Sequence, residues 1–292
     1  MTEPWSGAAA DLLPTDAAEA VLIGRVWLPE VAGPAVVVLR DGVLHDLSHT
    51  FATVREVTET HDPARAVRAT AGTAVGTLEE IWSNTDPDTR RTDRPWLLSP
   101  IDLHVVKAAG VTFPVSMLER MIEERARGEA EGAEGIRAMV MDALGGDLGA
   151  LVPGSPEAER LKEVLLEAGM WSQYLEVGIG PDAEIFTKAP VLATVGSGVD
   201  VGVLAESRWN NPEPEVVLIV SSRGAVVGAT LGNDVNLRDI EGRSALLLGR
   251  AKDNNASAAV GTFVRLFDDG FKLAQVRTET VTLSVEGMEG YE

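Results

Sequence analysis

The sequence predicts an α+β fold. Strand-like runs fill the first hundred residues and return beyond about residue 185, helical periodicity is confined to the block between them, and nothing repeats at a fixed period. Strands and helices segregated in this way argue against a doubly wound parallel sheet, in which they must alternate.

The first block contains VLIGRVWL and AVVVLRDGVLHDL, and in the second run Asp41-Gly42 lies between two apolar stretches as a hairpin turn signal. Residues 83–100, SNTDPDTRRTDRPWLLSP, are dense in polar residues and proline and mark a boundary. A small β-rich domain is therefore expected over residues 1–98, and a second domain over 99–292.

Helical spacing begins beyond that boundary. Met117, Leu118, Met121 and Ile122 recur at helical intervals from Ser116, as do Ile136, Met139, Val140, Ala143 and Leu144 before Gly145-Gly146. A third helix is marked at both ends: Ser155 as N-cap, Pro156 at the first helical position, an apolar stripe of Leu161, Val164, Leu165 and Ala168, then Gly169 as a stop. Strand patterns resume with IFTKAPVLATVGSGVDVGV, EVVLIV, a Ser-Ser-Arg-Gly turn, AVVGATLG and finally an alternating run, TVTLSV.

Composition narrows the function classes. The chain has 292 residues, 45% of them hydrophobic, which is a globular composition. With 45 Asp and Glu against 25 Lys and Arg, its formal net charge of -20 disfavours nucleic acid and anionic membranes, which bind through clustered cations. The absence of cysteine excludes a disulfide framework, a thiolate metal site and a cysteine nucleophile. No basic stretch precedes an apolar core at the N-terminus and the apolar runs are short, so secretion and membrane spanning are disfavoured and the cytoplasm is the expected compartment.

The stretch with most chemistry runs from Trp209 to Val220. Pro212 and Pro214 bias their neighbours to extended geometry, placing Glu213 and Glu215 on an incipient strand. Residues i and i+2 of a strand face the same way, so the two carboxylates point together. Converging like charges at the edge of a core are costly without a cation between them, although an exposed acidic strand end is the plainer reading of these two residues alone. After the next hairpin comes Gly232-Asn233-Asp234-Val235-Asn236-Leu237-Arg238-Asp239, which offers a third carboxylate, and Lys252-Asp253-Asn254-Asn255 forms a second polar cluster.

Carboxylates without cysteine select a hard cation, Mg²⁺ first, with Mn²⁺ or Ca²⁺ behind it. The four histidines, His45, His49, His61 and His104, all precede this block at spacings that match no zinc motif. The GSGVDVG run at 196–202 has its third glycine one residue too late for a dinucleotide fingerprint and lies between strand-like runs, so it is expected to be a turn.

Taken jointly, Glu213-Pro214-Glu215, Asn233-Asp234, Arg238-Asp239 and Lys252 resemble the metal signature of the fumarylacetoacetate hydrolase superfamily. Within it, GVTFPVSMLERMIEERARG, GMWSQYLEVGIGPDAEIFTKAP, WNNPEPEVVL and LGNDVNLRDIEGRSALLLGRAKDNNASAAVG resemble the 2-keto-3-deoxy-pentonate dehydratases, from about residue 20 onward. The resemblance implies a mixed β-roll or sandwich with peripheral helices. It also implies dehydration of a 2-keto-3-deoxy-pentonate, of xylonate or arabinonate type, to 2-oxoglutarate semialdehyde. Glu213, Glu215 and Asp234 match the metal ligands, the ion acting as a Lewis acid on the 2-keto acid and stabilising an enolate. Lys252 and Glu184 match an acid/base pair, with the division of roles between them open, and Lys188 and Arg238 are candidates for holding the substrate carboxylate or, equally, for pairing with the acidic loops. A homodimer or homotetramer is the expected assembly.

One departure bears on the chemistry. Hydrolases of the superfamily carry a histidine and a glutamate that activate water, and the corresponding positions here are Ser116 and Glu119. Serine is a poor general base, which puts carbon–carbon hydrolysis of an acylpyruvate in doubt but not dehydration. Ser-x-x-Glu before an apolar helical run is also a capping box, so Glu119 is a secondary catalytic candidate. The TVTLSV run ends without a return strand whereas the resembling dehydratases continue, so the second domain is expected to be incomplete at its C-terminus. A catalytically incomplete binding or oligomerisation subunit is the third alternative.

Overall fold

The computed structural model describes residues 7–110, 117–118, 121–122, 130–144 and 151–285. It divides into two compact units, one of Met1–Val106 with Thr187–Glu292 and one of Lys107–Phe186.

The first unit is organised by a nine-stranded sheet. Strand β1 (Leu22–Leu28) pairs antiparallel with β2 (Gly33–Arg40), which pairs with β3 (Val43–Asp46), and β3 with β4 (Thr73–Thr77). The β2–β3 turn is formed as expected by Asp41 and Gly42, both at positive φ (50° and 77°), the left-handed pair that a two-residue hairpin requires. Alternate residues of β1 and β2 feed two different cores. Ile23, Val36 and Val38 join Val54, Val57, Val67 and Val264 on one face, while Leu22, Val26 and Val37 join Leu44, Leu78, Ile81 and Phe263 on the other. Burial on both faces is why these strands read as continuous apolar runs and not as alternation.

Helices occur in a block that sequence periodicity reads as β: α1 (Val54–Thr58), α2 (Pro63–Ala69) and α3 (Leu78–Ser83). Each is too short to show a helical period, yet each is capped, the side chains of Thr53, Asp62 and Thr77 accepting from the backbone N–H of Glu56, Arg65 and Glu80.

The sheet runs across the boundary expected at residues 98/99. Strand β5 (Trp96–Leu98) pairs with β1, and β1 pairs on with the late strand β13 (Val264–Leu266). Buried Arg265 on β13 ties this junction together through Asp16 and Asp268, while Arg68 reaches Asp268 at 2.7 Å. Burial by itself would raise the Asp268 carboxyl, but hydrogen bonds from Arg265 and Arg68 outweigh it and hold the group down to about 2. A carboxyl depressed in the fold contributes stability that is complete above its ordinary value near 3.8 and is lost as pH falls through about 2. Asp268→Asn is therefore expected to cost about 2 kcal/mol at pH 7 in urea unfolding, and the gap from wild type should close as pH approaches 2. An equal gap at both pH values would refute the charge network as its source.

Strands β6 (Val106–Ala109) and β7 (Ile185–Ala189) form a two-stranded ribbon. In the second unit, α4 (Ala130–Leu144) and α5 (Pro156–Glu167) share a core of Met117, Leu118, Ile122, Val140, Leu161 and Leu165. The ends of α5 are those expected: Ser155 accepts from Ala158 N–H, Pro156 opens the helix, and Gly169 at φ 62° follows Ala168. A shorter helix, α6 (Gln173–Ile179), completes this unit.

In the first unit, β8 (Asn210–Asn211) is followed by β9 (Pro214–Val220) and β10 (Val226–Asp234), an antiparallel hairpin across Ser221–Gly224 with Gly224 at φ 78°. β10 pairs on its other side with β12 (Ala258–Val260) and β13, and β11 (Asn236–Leu237) pairs with β8. Short helices α7 (Arg238–Glu241) and α8 (Leu248–Lys252) link β11 to β12, and α9 (Leu273–Val276) follows β13. The GSGVDVG segment is a turn, with Gly198 at φ 73°. The expected strand at TVTLSV is not formed: Val281, Leu283 and Val285 are exposed and no strand pairs with them among the described residues. Alternation supplies only side chains, and without a neighbour the ladder hydrogen bonds that make a strand are absent.

Candidate metal centre

The β9–β10 hairpin sets the positions of three carboxylates. Glu215 lies opposite Gly232 and Pro214 opposite Asn233, so the start of β9 and the end of β10 run side by side. Beyond the ladder, Asp234 N–H donates to the Glu213 carbonyl at 2.9 Å and Glu213 N–H donates to Asn233 Oδ1 at 2.9 Å. Pro214, which has no N–H to offer, sits at the edge where none is required.

One carboxylate oxygen each from Glu213, Glu215 and Asp234 lies within 4.8 Å of the others. Two oxygens on one ion are separated by at most twice the metal–oxygen distance, about 4.2 Å for Mg²⁺ and about 5 Å for Ca²⁺. The group therefore fits a single divalent cation after at most a small closure. The cost of the arrangement without one falls on Glu215, whose carboxyl is raised to about 7 by burial first and then by the charges of Asp234 and Glu213.

Two lysines meet the same carboxylates. Lys252, at the end of α8 and 3% exposed, donates to Glu213 Oε2 and to Asp234 Oδ2, the latter at 3.0 Å. Desolvation, the largest single influence, pulls its ammonium down, but the hydrogen bond to Glu213 and the charges of Asp234 and Glu213 carry it above its ordinary value. Lys188 on β7 is 1% exposed, donates to the carbonyls of Val235 (2.7 Å) and Lys252 and to Ser257 Oγ (3.2 Å), and lies 3.0 Å from Asp234 Oδ1. Burial pushes its ammonium down against the opposing pull of Asp234.

The residues expected to serve a site are thus placed as follows. Glu213, Glu215, Asp234 and Lys252 are brought together. Lys188 joins them from below, but its donors are spent on the protein's own backbone, on Ser257 and on Asp234. Of the two roles open to it, these contacts are those of an ion-pair partner, and the cause is its depth. Arg238 is half exposed and pairs with Glu241 at 3.0 Å. Asp239 accepts from Ser207 Oγ and Arg208 N–H, closing a loop. Glu184 precedes β7 within the second unit, where its carbonyl accepts from Gly110 N–H at 2.9 Å. Glu119 lies outside the described residues.

Asn236 and Ser257 are site neighbours that residue-type reasoning passes over, because neither titrates. A signal for Asn236 exists in its i+2 spacing from Asp234 across Val235, since two such residues share a side wherever the chain is extended.

The sheet order and the hairpin-borne carboxylates define a mixed α+β protein whose fold is similar to that of a solved sugar-acid dehydratase. Named likenesses include dehydratases of 2-keto-3-deoxy sugar acids. The solved structure of 2-keto-3-deoxy-D-arabinonate dehydratase complexed with magnesium and 2,5-dioxopentanoate matches with a TM-score of 0.52 at 19% identity, covering 84% of this chain and 66% of that one. In sequence, the chain is 39% identical over 98 residues to the Haloferax volcanii protein named "Probable 2-keto-3-deoxyxylonate dehydratase", which is 34% of either chain. It is 35% identical over 86 residues to 2-dehydro-3-deoxy-D-arabinonate dehydratase of Saccharolobus solfataricus, 30% of this chain and 29% of that protein. The matched stretches thus span about a third of the length of the curated relatives. No family model matches the chain. The family resemblance read from the sequence is borne out by these relatives.

Proposed function

We propose that the protein is a dehydratase that removes water from a 2-keto-3-deoxy-pentonate, of xylonate or arabinonate type, to give 2-oxoglutarate semialdehyde. The observation that carries this reading is the convergence of Glu213, Glu215 and Asp234 on one cation-sized space beside Lys252. Sequence identity to proteins named as dehydratases supplies the reaction class.

Glu213, Glu215 and Asp234 would hold the ion, Mg²⁺ as the first choice with Mn²⁺ or Ca²⁺ as substitutes. When bound, such an ion supplies a Lewis acid for the 2-keto acid end of the substrate. The chain's own groups handle protons. Loss of water takes a proton from C3 and the hydroxyl from C4, which departs as water once protonated, and Lys252 and Glu184 divide these two transfers, with Glu119 as a secondary candidate. The 3,4-enone left behind becomes the semialdehyde when a proton leaves C5 and one is added at C3, and the C5 enol so formed gains a proton at C4 as its hydroxyl loses one. Arg238, with part of its guanidinium exposed, is the better placed of the two cations proposed for the substrate carboxylate. No helix among the described residues is long and apolar enough to cross a membrane. A cytoplasmic enzyme acting on a small sugar acid as a homodimer or homotetramer completes the proposal.

The test is direct. Purified protein with Mg²⁺ and 2-keto-3-deoxy-D-xylonate or 2-keto-3-deoxy-L-arabinonate is expected to yield 2-oxoglutarate semialdehyde, read through a coupled dehydrogenase. Pyruvate release from an acylpyruvate, with no semialdehyde from the sugar acids, would replace this reading with the hydrolase. Metal-dependent stabilisation without turnover of either substrate would point to a binding or oligomerisation subunit.

A further inference from the structure

Asn236 is fully buried, at 0% exposure, in the two-residue strand β11 that follows Asp234 and Val235. Its backbone pairs with Asn211 of β8, so the residue is anchored at its Cα by the ladder. Both protons of its side-chain amide are spent on carboxylates: Nδ2 donates to Glu213 Oε1 at 2.9 Å and to Glu241 Oε2 at 2.7 Å. Glu241 is held in turn by Arg238 at 3.0 Å. The other oxygen of Glu213, Oε2, is the one that meets Lys252. The two ends of the Glu213 carboxylate are therefore assigned to different partners.

We propose that Asn236 is a positioning residue for the cation site, fixing the plane of the Glu213 carboxylate by holding Oε1 so that Oε2 faces the space shared with Glu215 and Asp234. This rests on the reading of those three residues as metal ligands. The physical reasoning starts from exposure: the Glu213 side chain retains 30% of its surface while Asp234 retains 6%, so packing alone leaves Glu213 the freer of the two. A buried neutral donor removes that freedom without adding a charge that would compete with the cation. Lysine in the same place would neutralise the carboxylate, and a further carboxylate would repel it. An amide has two protons, and the second engages Glu241, which prevents the Asn236 side chain from flipping to present its oxygen to Glu213. The remaining Asn236 oxygen has no hydrogen-bond partner, a cost that is borne where the donor side is fully used. Groups hydrogen-bonded behind metal ligands commonly carry about a tenfold to hundredfold effect on affinity.

The test measures Mn²⁺ binding by electron paramagnetic resonance, alongside the melting temperature, in wild type, Asn236→Val, Asn236→Thr and Glu241→Gln. Asn236→Val supplies a β-branched residue that suits a strand and deletes both donors; its Mn²⁺ dissociation constant is expected to rise about tenfold. Asn236→Thr, whose hydroxyl can still donate one bond, is expected to recover most of that loss. Glu241→Gln leaves the bond to Glu213 in place and is expected to change affinity less than twofold. A purely structural role for the patch predicts instead that Asn236→Val and Glu241→Gln lower the melting temperature alike and leave the Mn²⁺ affinity untouched, which would overturn the proposal. Wild-type protein labelled with ¹⁵N-asparagine gives a second measurement that needs no variant: the Asn236 side-chain amide signal should move on Mg²⁺ addition, and a signal that stays fixed at saturating metal would also overturn it. Absence of any Mn²⁺ binding by wild type refutes the metal reading itself, which separates the two failures.

Discussion

In Glu215→Gln protein, Mg²⁺ is expected to lose its ability to raise the melting temperature, and sugar-acid dehydration is expected to fall at least a hundredfold, by about 3 kcal/mol or more of transition-state stabilisation. Glu215 is one of the three carboxylates that converge there among the described residues. A ligand present at about a hundred times its dissociation constant stabilises the fold by about 2.7 kcal/mol, so the wild-type shift is large enough to see vanish. The amide is also a mild change for the metal-free fold. A carboxyl raised to about 7 is close to half protonated at neutral pH, and glutamine resembles that neutral form in size and hydrogen bonding. Differential scanning fluorimetry with and without Mg²⁺ should thus show a metal-free melting temperature near wild type and no metal increment. A full increment in Glu215→Gln would remove the residue from the ligand set.

Lys188→Met is expected to produce the largest loss of stability of any single change near the site. The side chain is 1% exposed, and methionine of similar length leaves the carbonyl of Val235, the carbonyl of Lys252 and Ser257 Oγ each short of a donor, with Asp234 losing one of its two cations. Breaking a buried ion pair by removing one partner costs about 3–5 kcal/mol, and Lys252 still facing Asp234 puts this case near the lower figure. For a domain of this size that corresponds to a fall in melting temperature on the order of 10 °C. Had Lys188 served chiefly to bind the substrate carboxylate, the variant would instead keep its melting temperature and raise KM. The double variant Lys188→Met with Asp234→Asn gives the coupling: stability should return in part, because the stranded charge is gone, while metal binding does not.

Much of the local architecture is legible in the residues themselves. The Asp41-Gly42 turn, the Ser155-Pro156 start and Gly169 stop of α5, and the extended geometry imposed by Pro212 and Pro214 follow from restrictions on φ and from short-range hydrogen bonding, which do not depend on distant chain. The pairing of Glu213 with Glu215 follows from the strand period alone. Helices α1 to α3 escape such reading because five to seven residues cannot display a 3.6-residue period, although their caps at Thr53, Asp62 and Thr77 stand in the sequence. TVTLSV shows the converse failure, since alternation without a partner strand makes no sheet.

What the sequence by itself determines is therefore the kind of chemistry available: three carboxylates and a lysine on segments stiffened by proline and by strand alternation, in an acidic chain without cysteine. Tertiary structure alone decides how those groups are used. It joins β1 to β13 across an expected domain boundary, and it turns Lys188 inward beneath Asp234 instead of outward to a substrate. It also brings the neutral amide of Asn236 behind Glu213. The reason is physical: strand period and φ restrictions act within a few residues, whereas burial, the pairing of ammonium with carboxylate and the sharing of an amide's two protons depend on which distant segments the sheet register brings within 3 Å.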